Sequence, residues 1–455
     1  MAKIALIGAG SVAFSTKLIQ DLCATKSLYG STITLMDINK ERLYTIYDFA
    51  ERYSKQTKAD FHFKLTTVRK EALQNANFVI STVKIGGYKP METEREIAER
   101  HGYYRGIGDR ICDYYGGIGA YHQLKFFLEL AKDMEVLCPD AWLIETANPV
   151  FEGVNLITRE TKIKSIGVCH GHFRYKDILE VLRLNPKDIE VQMAGFNHCI
   201  WMTHLLYKGQ DAYPILDNWI KNEANEYWKS EKFLEGKPWD IEQLSPGAVN
   251  TYHIFGLFPI GDTVRSASPW WHHTTLNIKQ KWYGPTGGFD SEIGWSTYLK
   301  THDEKLDKLR GLVKDRSASL TKEFPPVMSG EQHIPILNAI ENDKETILQL
   351  NVPNNGSIFG IPDDVIVEIP VVVSGRGIQG IHIGKLPKRL MLYVLVPRMR
   401  RMEQILQAFL ERDMNGLLLM LMEDPRTKSL EQAKNLLEEL LAQPWNSEVA
   451  NHYKW

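Results

Sequence analysis

What this 455-residue chain has little of narrows its class first. It has five cysteines, an odd number without framework spacing, which excludes a disulfide scaffold and fits a reducing compartment. It has almost no net charge. Its 54 lysines and arginines against 56 aspartates and glutamates leave −2, so a general polyanion binder is excluded and no nucleic-acid partner is expected. No apolar run approaches the roughly 18 residues of a membrane helix, so no membrane partner is expected. Repeats, low-complexity tracts and long linkers are also missing. No leader-like segment precedes the first apolar run, Lys3 to Ile7, and a cytoplasmic location is the expectation. Hydrophobic residues at 44% and charged residues at 24% describe an ordinary globular protein. The length exceeds what one core usually serves. We therefore expect two domains, 1–195 and 196–455.

The opening reads strand, turn, helix. Lys3 to Ile7 leads into Gly8-Ala-Gly-Ser-Val-Ala13, the spacing of a dinucleotide-binding turn. Gly8 permits the tight turn, Gly10 lets a pyrophosphate approach the backbone, and Ala13 keeps the helix (Ser11 to about Leu28) close to the sheet. A second strand, Thr32 to Met36, ends in Asp37, 24 residues beyond Ala13. An acid there takes ribose hydroxyls and repels the extra phosphate of NADP, so the expected cofactor is NAD.

Alternation continues through a helix at 39–57, with Leu43, Ile46, Tyr47 and Ala50 on one face, and strands at 61–66 and 77–83. Gly86 and Gly87 follow, placed to pass beneath a cofactor. The glycine-rich stretch from Gly106 to Gly119 builds no core and reads as a loop around a polar ligand, with Asp109, Arg110 and Asp113 as its side chains of interest. A strand at 141–145 runs into Asn148-Pro149, beyond a strand's carboxyl end, where doubly wound folds bind ligands. The fold class is α/β: an N-terminal Rossmann-type doubly wound sheet plus a C-terminal mixed α+β domain for substrate and oligomerisation.

A third feature follows the apolar run 163–168. Cys169 and His170 end it, and His172 lies just beyond. A second apolar stretch, 191–201, carries Asn197 and, twenty-nine residues after Cys169, His198. A thiolate, an imidazole and an amide gathered near strand ends form a donor set for a divalent metal with positions left open.

Past residue 200 the pattern is looser. Residues 211–233 read as helical. Trp239, Trp270 and Trp271 are candidates to stack on a sugar or to pack in a core. Residues 365–373 form a strand pair or a strand bent at Pro370. A long helix is expected from Pro387 to about Met422, and its apolar end, Leu417 to Met422, fits a homodimer or homotetramer contact.

Taken together, Gly8-Ala-Gly-Ser11 with Asp37, Gly86-Gly87, the 108–119 loop, Ala147-Asn-Pro149, Cys169-His-Gly171 and Gly195-Phe-Asn-His198 resemble, in that order, the family 4 glycoside hydrolases. So do the stretches 351–370 and 377–387, and the likeness covers nearly the whole chain. The resemblance implies NAD and a divalent metal, usually manganese, held by Cys169 and His198. It implies hydride transfer from C3 of the sugar to NAD, loss of the C2 proton to a side-chain base, expulsion of the C1 substituent, water addition and re-reduction. The metal would stabilise the enediolate, a route unlike the paired-carboxylate glycosidases. It places Asn148 at the sugar and His170 near the leaving-group oxygen. The segment 255–265 supplies the base in that family, which makes Asp262 the candidate and Tyr252 the reserve. Cys-His-Gly resembles the α-glucuronidase branch, so a small uronide is the expected substrate, with Arg265 or Arg110 as cation for its carboxylate. The α-glucosidase, α-galactosidase and α-galacturonidase branches remain alternatives. More distant are a hydroxy-acid dehydrogenase and a dinucleotide-binding regulatory protein without catalysis.

Overall fold

In the computed structural model, which describes residues 1–105 and 116–455, the first part of the chain builds six parallel strands. They are β1 (Lys3–Ile7), β2 (Thr32–Met36), β3 (His62–Thr66), β4 (Phe78–Ser81), β5 (Trp142–Glu145) and β6 (Lys164–Val168). Their order is 3-2-1-4-5-6, the doubly wound arrangement, with the strand order reversing between β1 and β4. Strands covered by helices on both faces have no polar face, and β4 is buried at every position.

Helix α1 (Val12–Ala24) begins at the glycine turn. It stops short of the expected Leu28 because a separate 3-10 turn, Lys26–Leu28, takes over. Helix α2 (Lys40–Thr57) is capped by Asn39, whose side-chain oxygen accepts from the Arg42 N–H at 3.0 Å. Leu43, Ile46 and Ala50 face inward, as the periodicity requires.

The rest of the chain extends the same sheet. Strands β7 (Ile189–Phe196) and β8 (Cys199–Tyr207) form a hairpin, and β9 (Gln210–Asp211) and β10 (Phe258–Ile260) pair with β8. Strands β11 (Thr346–Pro353), β12 (Ile366–Ser374) and β13 (Gly377–Gly380) return much later. β11 lies antiparallel to β6, with Leu350 opposite Val168 and Asn351 opposite Gly167. β12 joins β11 to β7, where Glu368 faces Gly195. One sheet thus runs from β3 to β10, and residue 195 lies inside β7 rather than in a linker.

Three local expectations change. β12 runs through Pro370 unbroken, the proline carbonyl accepting from the Ile381 N–H at 2.9 Å. The 211–233 region is three short helices, Tyr213–Asn222, Ala224–Tyr227 and Glu231–Leu234. The long C-terminal helix is divided: one run ends at Glu411, Arg412 adopts φ 62°, and Asp413 caps Met414–Met422. Leu417, Leu418, Met420 and Leu421 are buried in the protomer's own core, and Leu419 stays exposed. Most of the apolar face expected to meet another copy is therefore already covered. Among the described residues no helix is long and apolar enough to cross a membrane.

The β7–β8 hairpin turns in two residues, Asn197 and His198, and His198 takes φ 55°. Gly195 makes this possible. A Cβ there would stand on the Cys199 carbonyl, and its φ is 153°. Gly195→Ala is expected to lower unfolding free energy by about 1–3 kcal/mol, read by chemical denaturation. An unchanged midpoint would show that the turn has slack.

Candidate active site

A cleft of about 1420 Å³ opens beyond the carboxyl ends of β1, β4, β5 and β6, and residues from both parts of the chain line it. At one end lie Gly8, Gly10, Ser11 and Asp37. Gly8 has φ 89°, and a Cβ on it would meet Val83 Cγ2 at 2.8 Å. A Cβ on Gly10 would meet the Asp37 Oδ2 at 2.7 Å. The Asp37 carboxylate accepts from the N–H groups of Gly10 and Asn39, both at 2.8 Å. Ser11 precedes α1 without capping it, so the helix N-terminus faces the cleft with open N–H groups. Gly86 and Gly87 line the same end at φ 78° and 71°, in open space, so backbone conformation rather than crowding calls for glycine. A dinucleotide fits this cradle.

Further along, one group of ligand-type side chains gathers among the described residues: the donor atoms of Cys169, His198 and Asp262 lie within 4.8 Å of one another. Cys169 follows β6 directly, and His198 is the second residue of the β7–β8 turn. Asp262 follows β10, where Gly261 (φ 61°) packs on the Gly171 backbone. His198 Nε2 is 3.3 Å from Asp262 Oδ2. The donor chemistry, one thiol, one imidazole and one carboxylate, suits a divalent cation. Burial, with the Glu368 and Asp262 carboxylates adding to it, pushes the Cys169 thiol well above its ordinary range. Burial lowers His198, with Asp262 opposing. Burial alone would raise Asp262, but His198 and Arg265 bring it down to about 2.

The structure brings most of the expected residues to this cleft. Asn148 and Asn197 line it, and each keeps a buried side-chain oxygen without a partner. The Asn197 amide donates to Glu368 at 3.2 Å. His170 lines the cleft with its side chain 58% exposed. His172 is buried, Nδ1 3.0 Å from the Cys169 carbonyl, and burial lowers it to about 4, so it serves the turn as a neutral ring. Trp239 is a wall residue, whereas Trp270 and Trp271 are exposed elsewhere. Asp109, Arg110 and Asp113 lie outside the described residues.

Two expected residues have other partners in the structure. Tyr252 is not a wall residue: its hydroxyl donates to Asp217 at 2.8 Å on the outer side of the helix Pro246–Phe255. Arg265 does line the cleft, yet it is committed. Its guanidinium pairs with Glu242 at 2.7 Å, with Asp290 at 2.6 Å and with Asp262. With three carboxylates around it, Arg265 cannot also serve a substrate carboxylate.

The sequence reading missed Glu242 and Asp290, which approach Arg265 from 23 residues before it and 25 after, a spacing no motif announces. It also missed two wall residues: Arg174, two positions beyond His172, and Glu331, in a polar segment without a motif.

A doubly wound sheet with a nucleotide cradle and a cation-ready Cys–His–Asp cluster in one cleft defines a dinucleotide-dependent enzyme class with a metal at the reacting end. The comparisons specify it. Residues 3–184 match the model of family 4 glycosyl hydrolases, and residues 193–427 match the family 4 glycosyl hydrolase C-terminal domain. This chain belongs to that family, which removes the hydroxy-acid dehydrogenase alternative. It is 29% identical to an α-galactosidase of Bacillus subtilis over 86% of this chain and 85% of that one. It is 26% identical to an α-galacturonidase of Thermoanaerobacterium saccharolyticum over 96% and 94%. A crystal structure of a 6-phospho-α-glucosidase from gut microorganisms, in complex with NAD and Mn2+, superposes with a TM-score of 0.76 at 17% identity, over 97% of both chains.

If Cys169 is a ligand, each cation bound displaces its thiol proton. Mn2+ affinity, followed by calorimetry, is then expected to rise about tenfold per pH unit around neutrality. Cys169→Ser should abolish that binding and leave NAD affinity within about threefold. A pH-independent affinity, or undiminished Mn2+ binding by the variant, would remove Cys169 from the ligand set.

Proposed function

We propose that this enzyme hydrolyses α-glycosides, α-glucuronides foremost, by oxidising the sugar at C3, removing the C2 proton, eliminating the C1 substituent, adding water and re-reducing. The observation that carries the reading is the Cys169–His198–Asp262 cluster standing in the same cleft as the Gly8–Asp37 cradle. Gly8, Gly10 and Ser11 would hold the pyrophosphate of NAD, Asp37 the ribose, and Gly86 and Gly87 the nicotinamide half. Cys169 and His198 would hold a divalent cation, most suitably manganese, with the Asp262 carboxylate beside them. When bound, NAD supplies reversible hydride acceptance and the cation supplies Lewis-acid charge to the sugar oxygens.

The remaining work falls to side chains. Asn148 and Asn197 each offer an unpartnered buried oxygen to sugar hydroxyls. Asp262 is ionised at neutral pH, as a base must be, and is the candidate to take the C2 proton. The cations that keep it ionised also weaken it as a base, so its task depends on the acidity that the C3 carbonyl and a bound cation would lend to the C2 proton. His170, open to the cleft, stands at the leaving-group side. A reducing cytoplasm suits a site that depends on a free thiol, and Cys169 is free.

The glycone rests on Cys169-His-Gly171 and on charge. With Arg265 committed, Arg174 is the wall cation we assign to a C6 carboxylate. Its Nε pairs with Asp177 at 2.8 Å and its Nη2 donates to the Trp239 carbonyl, while its Nη1 comes no nearer to Asp240 than 3.9 Å. α-Galacturonides are the second reading, because three relatives covering 96% of this chain are α-galacturonidases.

Two measurements test the reading. In deuterated buffer the released sugar should carry deuterium at C2, and Asp262→Asn should slow that exchange by about a hundredfold or more. Unlabelled sugar, or rates indifferent to NAD, would refute the elimination route. A charge-assisted contact is worth roughly 1.5–3 kcal/mol, so an aryl α-glucuronide should exceed the α-glucoside and α-galactoside at least about tenfold in kcat/KM. Arg174→Met should erase that preference rather than all activity. Equal turnover of the neutral glycosides would transfer the enzyme to the galactosidase and glucosidase branch.

A further inference from the structure

The segment 329–333 forms part of the cleft wall and has no task in the reading above. Its Glu331 is 4% exposed, an uncommon place for a carboxylate without a purpose. Oε1 accepts from the Lys17 Nζ at 2.8 Å and lies 3.8 Å from the His170 Nδ1. Burial alone would raise the Glu331 pKa, but His170 and Lys17 bring it below the ordinary range, so the group stays ionised.

Both ends of the segment are pinned. The Ser329 N–H and hydroxyl donate to Asp21 on α1 at 2.5 and 2.6 Å. The Gln332 side chain exchanges two hydrogen bonds with the Gln349 backbone on β11, at 2.7 and 2.8 Å. Glu331 is therefore presented by a rigid strap, and Lys17 fixes its carboxylate from α1. On its ring face His170 meets Phe14, also on α1, with centroids 6.2 Å apart and planes 28° from parallel. One constraint from the cofactor helix, Phe14, and one from the strap, Glu331, thus converge on a ring that otherwise opens to the cleft.

We propose that Glu331 is a positioning residue for His170: it faces Nδ1 and thereby turns Nε2 toward the leaving-group oxygen. At 3.8 Å the carboxylate is beyond direct hydrogen-bond reach, yet it draws the Nδ1 edge of the ring toward the strap and leaves the Nε2 edge to the cleft. As the C1–O bond breaks, its electron pair goes to the leaving oxygen, which takes the proton from Nε2. The ring becomes neutral and keeps its Nδ1–H toward Glu331. Lys17 links this device to α1, which starts at the nucleotide turn, so the acid is aimed by the element that holds the cofactor.

The inference rests on the placing of His170 at the leaving group, and leaving-group dependence separates the two. Aryl glycosides running from dinitrophenyl to alkylphenyl are compared at saturating NAD and Mn2+. In Glu331→Gln the rate ratio between the activated and the poor leaving group should widen ten- to a hundredfold over the parent, on the scale of lost general-acid assistance. His170→Asn should widen it at least as much. If His170→Asn widens the ratio and Glu331→Gln does not, the positioning role is overturned and the placing of His170 stands. If neither does, the placing of His170 falls and this inference falls with it. Lys17→Met, altering a half-exposed side chain, provides a second variant should Glu331→Gln fold poorly. It should widen the ratio in the same direction by a smaller factor, and an unchanged ratio would count against the link to α1. A uniform loss across the series, with the ratio fixed, would reduce Glu331 to a structural residue.

Discussion

One buried guanidinium governs the charge balance of the cleft. Arg265 holds Asp262, Glu242 and Asp290 at once; it, Glu242 and Asp290 are buried, and Asp262 is partly open to the cleft. Breaking a buried pair by removing one partner costs about 3–5 kcal/mol, because the group left behind is neither solvated nor paired. One cation cannot neutralise three carboxylates. Burial resolves part of the excess by pushing Glu242 up to about 7, while Asp290 and Asp262 are kept below the ordinary range by the cations around them. Asp262 thus sits ionised beside His198 and Cys169, where it would present a full negative charge to a divalent cation.

That arrangement depends on strand pairing between distant parts of the chain. β11 joins β6 with Asn351 opposite Gly167, where a Cβ on the glycine would meet the Asn351 Cβ at 2.8 Å. β12 then sets Glu368 opposite Gly195, close enough to accept from Asn197. The cysteine that ends β6 and the histidine in the β7–β8 turn are neighbours only because β11 and β12 fill the sheet between them. A sheet this continuous makes the cleft a rigid seam. The nucleotide cradle and the cation-ready cluster are then placed by the same hydrogen-bond ladder, and reacting groups held that way lose little entropy on reaching a productive geometry.

His170, proposed for the leaving-group side, is held by another principle. It is not part of the ladder, and its surroundings come from α1 and the 329–333 strap, each tied to buried polar partners. A ring open to the cleft on one edge and restrained by a carboxylate and an aromatic face on the others has few orientations left.

What the sequence determined by itself was everything that local pattern carries. The strands β1 to β6 fall within a residue or two of where hydrophobic runs and glycines place them, since parallel strands and a dinucleotide turn obey short-range steric rules. Cys169 and His198 were legible as a pair because each sits at a strand end, where donors accumulate. Tertiary structure decided the rest. Asp262 joins that pair, and Arg265 is consumed by Glu242 and Asp290, through contacts across 23 to 93 residues that no periodicity encodes. Tyr252 turns away to Asp217 because its helix presents that face to solvent, a matter of packing direction rather than composition. The C-terminal helix divides at Arg412, and its apolar end is buried within the protomer except at Leu419 and Met422, so hydrophobicity read along the chain could not tell an inner face from an outer one. Glu331 is the clearest case: a lone acid in a polar segment, given its meaning only by the lysine and histidine that folding brings to it.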